Sequence, residues 1–155
     1  MSTQPRTKND LSSDETNNYW AAYFIVSDAL SLCRDKLLSQ ENNAEDPARG
    51  FTPAPGVIER FRPPLGPGIR LDTHVEEGSV ISPYYDSLIA KLIVWDEDRP
   101  SAIERSLRAL GELELRGVPT TREAALEILA SDVFRSGQYS TSFLEDTQLL
   151  AVSPR

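Results

Sequence analysis

Sulfur and imidazole are nearly absent from this chain. Cys33 is the only cysteine and His74 the only histidine, so neither an intramolecular disulfide nor a cysteine- or histidine-built zinc cage is available. Long apolar runs are missing too: the most apolar N-terminal stretch, residues 19–26, falls far short of the roughly 20 residues that cross a bilayer. It does not read as a secretory leader either, because Asp10, Asp14 and Glu15 precede it where positive charge is expected. Basic residues are outnumbered, 16 against 24 acidic ones, for a net charge of -8, which argues against nucleic acid or an anionic membrane as partner. Together these absences predict a cytoplasmic or similarly reducing location.

Several catalytic signatures are also lacking. No Gly-x-Ser-x-Gly elbow occurs, and His74 is the only side chain that offers an imidazole base. Gly66-Pro67-Gly68 is no phosphate cradle, since a P-loop needs free backbone N–H groups followed by Lys and Ser or Thr, and proline removes a donor. It reads as a turn. Glu76 and Glu77 beside His74 do not make a metal pair, because adjacent strand residues point to opposite faces. The groupings that phosphoryl transfer needs, a phosphate-binding lysine or arginine, magnesium carboxylates and a glycine-rich cover, are absent.

What is present fits one domain: 155 residues, 39% hydrophobic and 26% charged, leave room for a single modest core. Residues 1–18, rich in Ser, Thr, Asn and charge, are predicted to be a disordered tail. From Tyr19 to Gln40, apolar residues recur at three- and four-residue steps (Trp20, Tyr23, Phe24, Leu30, Cys33, Leu37), which predicts an amphipathic helix assigned to residues 19–42. Proline and glycine then interrupt the chain up to Gly68, with a short strand pattern at Val57 to Phe61. Ile69 to Val75 alternates Ile69, Leu71, Thr73 and Val75 against Arg70, Asp72 and His74, as a strand with one buried face does. Ser79 to Ser82 and Leu88 to Trp95 are further strands, the latter apolar on both faces except at Lys91. Asp98-Arg99-Pro100 opens a helix through Leu113 with Glu104 and Arg108 as an i, i+4 pair, and a second helix spans about Thr121 to Ala130. The class is α+β, a mainly antiparallel sheet with helices on one face, and residues 147–155 read as a flexible tail.

Five ordered motifs carry a more specific message. Asn43-Ala44-Glu45-Asp46-Pro47, Phe51-Thr52-Pro53-Ala54-Pro55-Gly56, the run from Pro63 to Val75 with Gly66-Pro67-Gly68 and Arg70, Pro83-Tyr84-Tyr85-Asp86-Ser87 with Ile89-Ala90-Lys91-Leu92-Ile93, and the later Gly117-Val118, Thr120-Thr121 and Phe143-Leu144-Glu145 together resemble the C-terminal domain of biotin carboxylase. The resemblance covers residues 43–146. It implies an enzyme family that uses ATP and bicarbonate to carboxylate biotin on a carrier domain. It also implies that Arg70 points from its strand toward biotin and bicarbonate, a role suited to an always-charged planar guanidinium.

The family's ATP-grasp body, with its lysines, glycine-rich lid and magnesium carboxylates, lies upstream of the matched part. Directly before Asn43 the family has a strand ending in Arg and an apolar residue, where this chain has Glu41-Asn42 after the predicted helix. The expectation is therefore that no cofactor binds this chain alone, while biotin, ATP and magnesium belong to the complete enzyme. Partners implied are an ATP-grasp portion, a biotin carrier protein or a carboxyltransferase subunit, and a second copy in a homodimer. The chain is then a carboxylase piece that contributes Arg70 within a split or multi-subunit enzyme, or a noncatalytic module binding a carboxylase subunit or carrier, or a rearranged frame whose fold survives without function. Lys91 is expected to pair with Asp86 or lie along the sheet, His74 to be a hydrogen-bonded strand residue, and Cys33 to pack on the helix. Trp20, Tyr23 and Phe24 are expected to cover the sheet edge in place of the missing strand, with docking to another chain as the alternative.

Overall fold

A computed structural model describes residues 36–140 and 142–144. Its centre is β8, Leu88–Trp95, the eight-residue strand whose apolar run was legible in the sequence. It is flanked on one side by β6, Ile69–Thr73, and on the other by β1, Leu37–Asn43, both antiparallel, in the order β1-β8-β6. The remaining strands are short and form two-stranded ribbons: β2 (Glu45–Asp46) with β3 (Thr52–Pro53), β4 (Gly56–Val57) with β7 (Val80–Ile81), and β5 (Arg60–Arg62) with β9 (Glu114–Arg116). Three helices follow the sheet, α1 Arg99–Glu112, α2 Arg122–Ala130 and α3 Asp132–Ser136.

Strand β1 corrects the sequence reading. Residues 37–42, assigned to the end of a helix, are extended and pair along β8 from Leu37 opposite Trp95 to Asn42 opposite Ala90. The step from Cys33 to Leu37 had suggested helical spacing, but β8 offers an unpaired row of N–H and C=O groups that an extended segment satisfies. The edge that Trp20, Tyr23 and Phe24 were expected to cover is thus occupied by β1. Those aromatics, Cys33, the two predicted tails and residues 19–35 of the predicted helix lie outside the described residues.

Alternation along the three strands sorts the side chains. Leu38, Leu92 and Val94 point to one face and join a core with Ala102, Ile103, Ala109 and Leu110 of α1 and Ala124, Ala125, Ile128 and Leu129 of α2. Helix α1 begins where Asp98 accepts a hydrogen bond from the Ser101 N–H at 2.8 Å, with proline in the first turn. Its buried residues recur at three- and four-residue steps. A second cluster, Ala44, Ile58, Val75, Ile81, Ile89, Ala90 and Val118, sits under the short ribbons.

Local contacts differ from the sequence reading at three places. Arg108 pairs with Glu112 rather than Glu104, and Glu104 reaches Arg135 on α3. The Val57 to Phe61 segment splits between β4 and β5, since Ile58 turns into the second cluster while Glu59 donates its N–H to the Arg116 carbonyl. The helix predicted through Leu113 stops at Glu112, and the chain then extends as β9.

The Gly66-Pro67-Gly68 segment is a turn, as expected. Gly68 has φ +72, and a Cβ there would collide with the Trp95 carbonyl oxygen and the Arg105 guanidinium. Arg105 occupies that space to good purpose: its Nη1 donates to the carbonyls of Pro67 and Trp95 at 2.9 and 3.1 Å, and its Nη2 pairs with Asp96 at 2.8 Å. The guanidinium thereby ties the entry of β6 to the exit of β8.

Candidate functional site: a charged sheet face and an acidic cavity

The face of the central sheet turned away from the helices carries alternating charge. On β6, Arg70 and Asp72 are two residues apart and so share this face; on β8, Lys91 lies opposite Asp72; on β1, Glu41 lies opposite Lys91. Arg70 donates from Nε and Nη2 to the two oxygens of Asp72 at 2.8 and 2.9 Å, a bidentate fork. Those hydrogen bonds hold the Arg70 pKa above its ordinary value and the Asp72 carboxyl below its own. The guanidinium stays accessible, with the Arg70 side chain 72% exposed. Lys91 lies 3.4 Å from Glu41.

Beside this row, the Pro83 to Ser87 turn and the Asn43 to Asp46 segment enclose a cavity of about 490 Å³ lined by Glu41, Asn43, Glu45, Pro53, Pro55, Tyr85, Asp86 and Ser87, among others. The polar residues of the turn are largely engaged in holding it. Ser87 donates its hydroxyl to Glu45 at 2.7 Å, Asp86 accepts the Leu88 N–H at 2.9 Å, and the Ala44 N–H donates to the Ser87 carbonyl at 2.8 Å. Burial pushes the Glu45 carboxyl up despite the hydrogen bonds from Ser87 and Asn43. Tyr85 stands exposed where it lines the cavity, and Tyr84 beside it in the turn is exposed as well.

Of the residues singled out in the sequence, Arg70 is on the open sheet face, Lys91 pairs across the sheet with Glu41, and His74 is exposed just beyond β6. Glu76 and Glu77 lie in the turn between β6 and β7, not on a strand: Glu77 pairs with Arg60 at 3.0 Å, and the Glu76 N–H donates to the Ser79 hydroxyl. Sequence reasoning missed Glu41, Asn43 and Glu45 as lining residues. Asn43 and Glu45 were visible only as members of a motif, and Glu41 was hidden because β1 was not recognised. Among the described residues no group of three or more His, Cys, Asp or Glu side chains is placed to hold a metal ion. Arg70 is an exposed guanidinium on the open sheet face.

Residues 42–146 match the model of the biotin carboxylase C-terminal domain. The chain belongs to that family. Biotin carboxylase of Nostoc sp. is 51% identical over 104 residues, which are 67% of this chain and 23% of the relative. The 2-oxoglutarate carboxylase small subunit of Hydrogenobacter thermophilus is 46% identical over 104 residues, 67% of this chain and 22% of the relative. The biotin carboxylase domain of the Hydrogenobacter enzyme, solved as a dimer with magnesium ADP and bicarbonate, superposes with a TM-score of 0.72 at 40% identity, covering 76% of this chain and 26% of that one. A complete pyruvate carboxylase from Rhizobium etli gives a TM-score of 0.72 at 36% identity over 77% of this chain and 11% of that one. The chain thus spans about a quarter of the length of its curated biotin carboxylase relatives. The biotin carboxylase C-terminal fold is an α+β arrangement of antiparallel sheets; the first two sequence motifs run from the end of β1 through β2 and β3 into β4, the third includes β6 and the fourth leads into β8. No helix among the described residues is long and apolar enough to cross a membrane.

Proposed function

We propose that this domain serves ATP- and bicarbonate-dependent carboxylation of carrier-bound biotin, contributing Arg70 to a site whose nucleotide- and metal-binding parts come from an ATP-grasp portion. The supporting observation is the Arg70 guanidinium itself: it stands on the open face of a rigid sheet, 72% exposed and oriented by the Asp72 fork. A guanidinium so held presents its remaining N–H donors in a fixed plane, which suits a bicarbonate or a ureido oxygen that gains negative charge. On this reading the domain is inactive by itself and works with ATP-grasp, biotin carrier and carboxyltransferase partners, as a member of a dimeric or multi-subunit carboxylase.

The test replaces the matched segment of the Nostoc biotin carboxylase by residues 43–146 of this chain and follows bicarbonate- and biotin-dependent ATP hydrolysis. The chimera is expected to be active, and Arg70→Ala to reduce its kcat roughly 10²-fold, the scale of losing one oriented donor to developing charge. Arg70→Ala at wild-type activity sinks the assignment. The isolated chain mixed with the remaining portion of the Nostoc enzyme tests assembly from separate pieces, and ATP turnover by the isolated chain alone contradicts the need for a partner.

A further inference from the structure

The sheet face turned away from the helices is shielded unevenly, and in the wrong order for a bare surface. Helices α1 and α2 pack with Leu38, Leu92 and Val94 on the opposite face, while Leu37, Ser39 and Glu41 of β1 point the same way as Trp95, Ile93 and Lys91 of β8. Exposure rises from β1 to β6: Ser39 is 0% exposed, the Glu41 and Lys91 side chains 20% and 31%, and the Asp72 and Arg70 side chains 45% and 72%. A bare three-stranded face does the reverse at β1, since an edge strand has a neighbour on one side only. Leu37, Glu41 and Ile93 surround Ser39 laterally, but side chains that stand perpendicular to a sheet shield a short neighbour from its sides and not from above. Leu37, Ile93 and Trp95 belong to neither core cluster, so an apolar strip runs along the shielded end of this face.

We infer that residues 19–35 of this same chain lie as an amphipathic helix over the β1 and β8 half of that face, seated on Leu37, Ser39, Ile93 and Trp95 and leaving β6 with Arg70 uncovered. The point of departure is right: the Lys36 carbonyl accepts the Asp96 N–H at 2.9 Å, so the preceding residues leave the sheet beside Trp95, at the apolar end of the strip. The length is right as well, because a helix over residues 19–35 is about 25 Å long and the seven residues of β1 span about 23 Å. Trp20, Tyr23, Phe24 and Leu30 fall on one side of such a helix and supply the apolar surface that the strip lacks. Running back along β1 from its exit, the helix brings Phe24 level with Glu41 and Lys91. Its tether gives the segment an effective concentration on the order of millimolar, which a second copy or a separate chain has to exceed. The inference goes beyond the carboxylase reading and does not rest on it.

Thiol labelling of the full chain tests the cover, in a Cys33→Ser background so that each variant carries one cysteine. Ser39→Cys is expected to react with a maleimide at least about tenfold more slowly than Asp72→Cys on the uncovered β6. Trp20→Ser combined with Phe24→Ser removes two aromatic anchors, each contributing on the order of tenfold or more to the docking equilibrium. In that variant the two labelling rates are expected to converge, while Ala109→Cys, beneath α1, stays unreactive and so separates uncovering of the face from unfolding. Benzoylphenylalanine in place of Phe24 is expected, on irradiation, to crosslink within the chain to residues 39–41 or 91–93, as mapped by mass spectrometry. Should the double variant expose Ala109→Cys as well, the position of this crosslink decides. Ser39→Cys reacting as fast as Asp72→Cys, protection that outlasts the loss of both aromatics, crosslinks to the helices, or crosslinks between chains, which assign the cover to a second copy, each overturns the inference.

Discussion

Substituting Arg105 by lysine keeps the positive charge and removes the planar fork that joins the ends of β6 and β8. In the native chain the guanidinium donates to two backbone carbonyls and pairs with Asp96, with side-chain exposures of 25% for Arg105 and 14% for Asp96. A hydrogen bond to a charged group contributes about 1.5–3 kcal/mol when well shielded. Partial exposure lowers this, and the lysine ammonium reaches one of the three acceptors in place of all three. The net cost of Arg105→Lys is therefore about 1–2 kcal/mol, equivalent to a fall of roughly 5–15 °C in Tm for a domain of this size. Thermal and urea unfolding followed by far-UV circular dichroism measures it. Arg108→Lys is the matched control: its pairing with Glu112 is an i, i+4 contact on the helix surface, with side chains about half exposed, and its loss costs no more than about 0.5 kcal/mol. If Arg105→Lys is no more destabilising than Arg108→Lys, the clamp does not stabilise the turn and the reasoning fails.

Two further substitutions probe the turn and the cavity. Gly68→Ala forces a left-handed residue against the Trp95 carbonyl and displaces Arg105, so its cost is expected to exceed about 3 kcal/mol, whereas Gly78→Ala, at φ +89 with open space around it, loses only the conformational part of about 1–2 kcal/mol; equal urea midpoints for the two variants contradict the steric account. Glu45→Gln is expected to raise stability at pH 7: burial lifts the folded pKa of Glu45 above the ordinary 4.5, so the unfolded chain ionises first and the folded state loses stability as pH rises through that interval. The gain should fade as pH falls below 4.5, and a Tm difference independent of pH refutes it.

The central strand and both longer helices were legible because each carries its own signal. Leu88 to Trp95 is a continuous apolar run between turn residues, and Asp98-Arg99-Pro100 caps a helix whose apolar residues keep helical spacing. Strand β1 had no such signal: Ser39, Gln40, Glu41, Asn42 and Asn43 are all polar, so alternation has nothing to mark. Its conformation is imposed from outside, by the unpaired edge of β8, and its burial is imposed on residues that do not favour it. Strand β9 was missed for a different reason, since three residues are too few to establish a period. Missing β1 also concealed part of the candidate site, because Glu41 reaches the cavity and Lys91 only by way of that strand.

Arg70 was singled out by resemblance, and under the role proposed for it the surroundings keep it ready. Its partner Asp72 is on the same strand two positions along, so the fork needs no tertiary contact and survives local adjustments of the sheet. Both groups are in solvent, so little desolvation opposes or rewards the pair, and it adds little to folding. An incoming anion therefore competes for the guanidinium against one exposed carboxylate, not against a buried network whose loss destabilises the domain. The cost of redirecting the donors is small, while the strand, anchored by β8 on one side and by the Arg105 clamp at its entry, fixes where they begin. Under the proposed function, chemistry at Arg70 depends on what a partner brings over this face, because nothing else in the row is both cationic and turned freely outward: Lys91 is committed across the sheet to Glu41.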